Sequence, residues 1–440
     1  MTTTKNNEHK KLNFPNEQEQ SQACLNSAEH EKNQGRKVLN VPNLRFKEFQ
    51  GEWKEERLAD IADLYKGTGI SKEQLSDDGE PCILYGELYT KYKSETIREV
   101  ISKTNIDNTK LVRSKANDVI IPCSGETAED IAIARCVLNG NILLGGDLNI
   151  IRLHGYDGAF MSYQLNGRRK YDIAKVAQGV SVVHLYGEHL KGVKTFNPCL
   201  EEQKKIAGLL ALLDERIATQ NKIIDKLQSL IKGLEDNLLD NPLWEKTYLR
   251  SFMQFFSTNS LSWEQLSYKE GAIRNLHYGL IHGFQTRGIN SASLPMIKNE
   301  AIPKQYTLCQ VGDVAFADAS EDTGEIAKSV EFVDTIEGDT ICGLHTIHGR
   351  DIKNRTVVGF KGFAFNSRYF HNQIKRLAQG TKVFSITANN LSSCYVYLPD
   401  LDTQTVIVRL LKSYEEQLII DRMIFKQYEK QKQYLRQMFI

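Results

Sequence analysis

Few residues in this chain stand at spacings that could carry out a reaction. Asn241-Pro242-Leu243-Trp244 is the nearest approach to the Asn/Asp-Pro-Pro-aromatic turn of a methyltransferase, and it lacks the second proline. Its tryptophan is also the repeat partner of Trp53, which has no Asn-Pro before it, so the segment reads as the start of a second copy. Glu202-Gln203-Lys204 has the carboxylate and lysine of a Mg²⁺-dependent nuclease. It lies on a helical stretch where solvated charges are expected, and its repeat partner Thr403-Gln404-Thr405 keeps neither charge. His345 and His348, with Asp351 nearby, could mimic a metal pair on a helix, but Gly343 and Gly349 favour a strand or turn there. Gly67-Thr68-Gly69 lacks the third glycine of a dinucleotide site, and no phosphate-binding Gly-x-x-x-x-Gly-Lys loop occurs.

The residues that remain suit binding. Phosphate contact needs cationic donors, and each half of the chain has a cluster. Arg168, Arg169, Lys170 and Lys175 form the first; Arg350, Lys353, Arg355, Arg368, Lys375, Arg376 and Lys382 form the second. Both precede or flank an Ala-Gln-Gly turn, Gln178-Gly179-Val180-Ser181 in one half and Gln379-Gly380-Thr381-Lys382 in the other. Glycine there permits close backbone approach, and amide and hydroxyl donors stand beside it; a tight turn into a strand explains the same residues equally well. Polar-aromatic loops around Lys66 and around His282 and Arg287 complete the set. The candidate DNA contacts are therefore Lys66, Arg168, Arg169, Lys175, Gln178, Gly179, Ser181, His282, Arg287, Arg350, Arg355, Arg368, Lys375, Gln379, Gly380 and Lys382.

The elements that must position these residues follow from an internal repeat. Ala177-Gln178-Gly179 recurs as Ala378-Gln379-Gly380, 201 residues later, and the same offset carries Pro198 to Pro399, Gln203 to Gln404 and Ile206 to Ile407. Upstream the offset shrinks, as loop insertions require: Asp118-Val119 matches Asp313-Val314 and Trp53 matches Trp244. Each copy is a mixed segment with short apolar runs such as Leu148 to Leu153, followed by a helical segment. Apolar residues at 206, 210, 213, 217, 224, 227, 231, 234 and 238 alternate steps of four and three, a heptad seam with Gln220 in the gap. The second helical segment repeats the seam, with Asp421 in the place of Gln220. Roughly 38 residues at helical rise span about 57 Å. So narrow a stripe requires a partner helix, and its own repeat is the nearest. Ordinary core packing or homodimerisation is the alternative.

Composition sets the outer bounds. A chain of 440 residues, 41% hydrophobic and 25% charged, has the balance of a soluble protein of several domains. Fifty-six Lys and Arg against 55 Asp and Glu leave +1, so any nucleic-acid surface must be local. Eight cysteines, with no Cys-x-x-Cys and no His at ligand spacing, read as reduced, mostly buried thiols rather than a zinc site. The absence of a signal-like or membrane-length apolar run makes the cytoplasm the expected address.

One family combines these features. Val41-Pro42-Asn43-Leu44-Arg45-Phe46, then Gly51-Glu52-Trp53 and Leu58, resembles the start of type I restriction-modification specificity subunits. Pro198-Cys199-Leu200-Glu201-Glu202-Gln203-Lys204-Lys205-Ile206 is similar to that family's helix start, and Leu344 to Arg350 to a stretch of its recognition domains. The second helix start, Pro399-Asp400-Leu401-Asp402-Thr403-Gln404, keeps Pro and Gln but loses the Glu and Lys pairs. The resemblance implies two domains that each read half of a split double-stranded DNA site, helices that fix the gap, and docking of two modification subunits and of restriction subunits. Any S-adenosylmethionine, ATP and Mg²⁺ would then lie on those partners, with no cofactor and no metal in this chain.

The expected fold is thus mixed α/β: two tandem target-recognition domains separated by two long helices that pair as an antiparallel coiled coil with a pseudo-two-fold. The expected boundaries are a disordered polar tail over 1–40, recognition domains over 41–197 and 242–398, and spacer helices over 198–241 and 399–440. The expected function is non-catalytic DNA specificity. A coiled-coil scaffold that does not read DNA, or a fused methyltransferase or nuclease, are the competing readings.

Overall fold

The computed structural model describes residues 40–107, 109–179, 182–284, 287–334, 336 and 338–440. The polar tail therefore lies outside the described residues. The chain divides into two compact units: residues 1–214 with 431–440, and residues 215–430. Each takes in one mixed α/β domain and part of both long helices.

The duplication read from sequence is a duplication of topology. In the first unit a five-stranded sheet runs in the order Ala62–Lys66, Leu148–Leu153, Asp118–Pro122, Arg135–Val137, Thr96–Ile97. In the second the order is Met253–Phe256, Thr346–Asp351, Val314–Ala317, Ser329–Phe332, Gly288–Ile289, strand for strand the same. The outermost pairing is parallel in both copies, Thr96 opposite Cys136 and Gly288 opposite Glu331. A four-stranded sheet is likewise repeated, ending on Leu143–Leu144 in one copy and Thr340–Cys342 in the other. The central strands, Asp118–Pro122 and Val314–Ala317, are buried on both faces. That explains their unbroken apolar runs, since alternation marks only strands with one wet face.

The long helices are Leu200–Leu239 and Leu401–Phe439. Within the second unit they run antiparallel, and the two polar seam residues meet: Gln220 Nε2 donates to Asp421 Oδ1 at 2.7 Å, both side chains buried. A buried polar pair at one seam position fixes register, because a slip would leave both groups without a partner. Within the first unit Ile206 and Leu210 pack with Phe439 and Ile440, again head to tail.

Both helix starts are stapled to the neighbouring domain by the glutamine of the Pro-x-x-x-x-Gln pattern. Gln203 accepts from the Asp157 N–H (2.9 Å) and donates to the Pro198 carbonyl (2.8 Å). Gln404 accepts from the Val357 N–H (3.0 Å) and donates to the Pro399 and Arg355 carbonyls. Neither side chain reaches solvent, so the glutamine recurs for a structural reason. The expectation of solvated charge at Glu202-Gln203 fails: Glu202 is buried, held two-pronged by Arg45 at 2.8 and 2.7 Å. The second helix has threonine at that place, and Thr403 instead closes onto the Asp400 carboxylate at the helix start.

Candidate nucleic-acid interface

The described residues of the two Ala-Gln-Gly turns share one backbone pairing. Gln178 and His184 exchange two backbone hydrogen bonds, as do Gln379 and Ser385, closing a hairpin in each copy. Gly179 and Gly380 sit at φ +128° and +129°, and a Cβ on either would lie within 2.1 Å of a carbonyl oxygen, so no other residue fits. Val182 and Val383, at the two tips, are each about half exposed, at 52% and 53%. Lys382 stands exposed on the second tip; Ser181, its counterpart in the first, lies outside the described residues.

In the first unit the hairpin leads into a cleft of about 530 Å³ that also contains the Tyr65-Lys66 segment. Asn149, opposite Lys66 in the sheet, donates to the Leu185 carbonyl (2.8 Å) and so ties the hairpin's exit to the floor. Tyr186 lines the same cleft and stacks on His184, 6.0 Å between ring centres. Lys66, exposed, has only a long ion pair to Asp147 at 3.7 Å. Tyr186 and Asn149 were not singled out from sequence; the signal available was their closeness to the glycine turn and to Lys66 across the sheet.

The other sequence-derived cations divide into two groups. Lys175, Arg368 and Lys375 are exposed, as are Gln379 and Gly380, and Arg168 is exposed with one contact at 3.4 Å to the Gln437 carbonyl. The rest are engaged by acidic groups of their own unit. Arg350 is chelated by Asp313 at 2.8 and 2.7 Å, the repeat image of Arg152 on Asp118. Burial pushes the Asp313 carboxyl up, but hydrogen bonds from Arg350 and His348 outweigh it and hold the group below its ordinary value. Arg169 pairs with Asp172 (3.1 Å), Arg355 with Glu245 (2.7 Å) and His282 with Glu325 (3.4 Å). Sequence periodicity could not separate these groups, because the carboxylate partners are mostly distant in the chain.

Arg287 belongs to an anchor that the repeat inverts. It faces Glu235 (3.8 Å) and its N–H donates to Glu415 (3.0 Å), both on the long helices. Glu95 is its counterpart in the first unit, since the backbone carbonyls of both accept from equivalent strand residues, Cys136 and Glu331. Glu95 is buried and meets Lys432 (2.5 Å) and Arg436 (3.1 Å). Arg436 stands at the repeat position of Glu235. Domain and helix thus exchange charge signs between the copies. Arg287, Arg368 and Lys375 share a mixed-charge cleft of about 680 Å³ with Glu235 and Glu415.

Burial pushes Glu415 up to about 7, Arg287 pulling the other way. Burial raises Glu235 as well. A carboxyl raised on folding stabilises the fold fully below its unfolded value near 4.5 and loses that contribution as pH rises through about 7. Glu415→Gln removes this titration while keeping an oxygen for the Arg287 N–H. The variant is expected to gain on the parent by about 2 kcal/mol between about pH 5 and about pH 8 in urea unfolding. An equal gap at both pH values would show that Glu415 does not titrate there.

Residues 50–229 match the family model described as the type I restriction modification DNA specificity domain. That stretch of the chain is similar to the specificity domain of type I restriction-modification systems. It is 24% identical over 411 residues to the type I restriction enzyme MjaVIII specificity subunit of Methanocaldococcus jannaschii, covering 88% of this chain and 93% of that protein. A second protein of that organism, the putative MjaX specificity subunit, is 24% identical over 437 residues, covering 90% and 94%. In fold, the chain is similar to the S subunit of a type I system from M. genitalium: TM-score 0.58, 14% identity, 91% of this chain and 99% of that one. A chain from a structural study of type I complex assembly matches at TM-score 0.51 and 13% identity, over 87% and 96%. Among the described residues no helix is long and apolar enough to cross a membrane.

Proposed function

We propose that each recognition domain of this specificity subunit reads one half of a split, asymmetric double-stranded DNA site, without catalysis in this chain. The observation that carries the reading is the glycine hairpin built identically in both copies, with differing side chains around it. A repeated scaffold supplies two equivalent approaches to DNA, and unlike side chains give two unlike half-sites. Exposed Lys66, Arg168, Lys175, Arg368, Lys375 and Lys382 supply phosphate contacts, while Gln178, Gln379 and the hairpin tips approach base edges. Arg169, His282, Arg287, Arg350 and Arg355, held by carboxylates, support the surface from behind.

The paired helices set the gap between half-sites. Their outer faces expose Ile223, Leu230, Ile420 and Met423, the last at 62%, which suits docking of two modification subunits. Restriction subunits join that assembly in the cytoplasm. S-adenosylmethionine, ATP and Mg²⁺ would act on those partners.

The test is to co-express the chain with the modification subunit of its own operon and map methylated bases across the host genome. A split motif with a constant gap is expected; a complex that forms but methylates no split motif defeats the reading. Deleting one heptad from the first long helix is expected to change the gap and leave both half-sequences intact. An unchanged gap would remove the spacer role.

A further inference from the structure

The second recognition domain carries a cluster of soft ligands in its core. Cys309, Cys342 and His348 are all buried, and a ligand atom of each lies within 4.8 Å of the other two. The sulfurs are 3.6 Å apart. Sulfurs on one tetrahedral zinc ion, with Zn–S near 2.3 Å, are separated by about 3.8 Å, so the two thiols already stand at that spacing. The imidazole closes by roughly 1 Å to reach the same ion.

The histidine is prepared for this role. Its Nε2 is 2.7 Å from Asp313 Oδ2, and Asp313 is itself fixed by both prongs of Arg350. An ionised carboxylate only accepts, so Nε2 carries the proton and Nδ1 keeps its lone pair. A carboxylate behind a ligating imidazole is the arrangement that orients histidine on zinc. Charge also balances: two thiolates and a divalent ion sum to zero, so burial carries no net charge into the core.

The first copy shows that the fold does not need these residues. The same sheet positions hold Ser114, Leu144 and Ile150, the serine hydroxyl bonded to the backbone at Asn139 and Ile142, whereas the Asp118–Arg152 pair is kept. Two cysteines and a histidine thus replace serine, leucine and isoleucine around an unchanged ion pair.

We propose that Cys309, Cys342 and His348 bind a zinc-class divalent ion, with Asp313 orienting the histidine and a water in the fourth position. Binding releases the two thiol protons to solvent as the two Zn–S bonds form. No redox change is involved. The ion ties the strand Thr340–Cys342 to Thr346–Asp351 and to the segment at Cys309.

The test uses the full chain purified under reducing conditions without chelator. Elemental analysis is expected to find one zinc per chain. After its removal, Co²⁺ is expected to give a saturable thiolate charge-transfer band with tetrahedral d–d absorption at one equivalent. Cys342→Leu with His348→Ile, the residues of the first copy, is expected to lose that spectrum and keep its circular dichroism. A parent chain without zinc or a Co²⁺–thiolate spectrum overturns the proposal, as does an undiminished spectrum in the variant. A Cys309–Cys342 disulfide in freshly isolated, zinc-free chain overturns it too.

Discussion

Lys361→Met is expected to cost the second unit about 3–5 kcal/mol, as read from urea unfolding, because it strands a buried carboxylate. Lys361 and Glu331 form an ion pair at 2.9 Å with side-chain exposures of 2% and 0%. Glu331 also accepts from the Gly362 N–H at 2.8 Å, and Lys361 donates to Thr356. Burial raises the Glu331 carboxyl, with Lys361 opposing it. Once the ammonium is gone the carboxyl folds protonated, so the loss deepens as pH rises through its raised value. The first copy has Cys136 and Met161 at these positions, both fully buried. Adding Glu331→Cys to Lys361→Met is therefore expected to restore most of the stability, since an apolar pair replaces a buried ion pair at little net change. A double variant no more stable than the single would show that the pair is not interchangeable with its repeat counterpart.

The second large effect concerns the inverted anchors. Glu95→Arg would set a third cation against Lys432 and Arg436 and leave Asp214 as the carboxylate facing them. A loss of about 3–5 kcal/mol is expected in the first unit. The triple variant Glu95→Arg, Arg436→Glu, Lys432→Ile reproduces the second unit's arrangement of Arg287, Glu235 and Ile231. Asp214 in the first unit already corresponds to Glu415. The triple variant is expected to recover most of the loss, a coupling that independent sites would not show. If the three changes simply add, the anchors do not act as units. The inversion also means that either domain set against the other's helix ends would face like charge, as Glu95 would against Glu235 and Glu415. The copies are thereby keyed to their own places.

The architecture was legible in the chain because it rests on period and repetition. The four-three seam marks the long helices, and the seam positions from 206 to 238 are all buried or half-buried in the structure. The 201-residue offset implies one topology used twice, and both sheets bear that out strand for strand. Gln220 and Asp421 could be paired from their equivalent places on that seam. Local patterns sufficed for these because helix periodicity and repeat spacing are properties of the chain alone.

What only the tertiary structure decided is which polar groups meet. Glu202 looked solvated until Arg45, 157 residues away, was found on it. The chelation of Arg350 by Asp313 could not be read from the chain, and the cysteines looked like isolated thiols until the fold brought Cys309 and Cys342 together with His348. Such pairings join strands far apart in sequence, at distances where a shift of an ångström or two makes or breaks a bond. Composition and periodicity specify the surfaces to be buried; the polar partners inside them are chosen by packing.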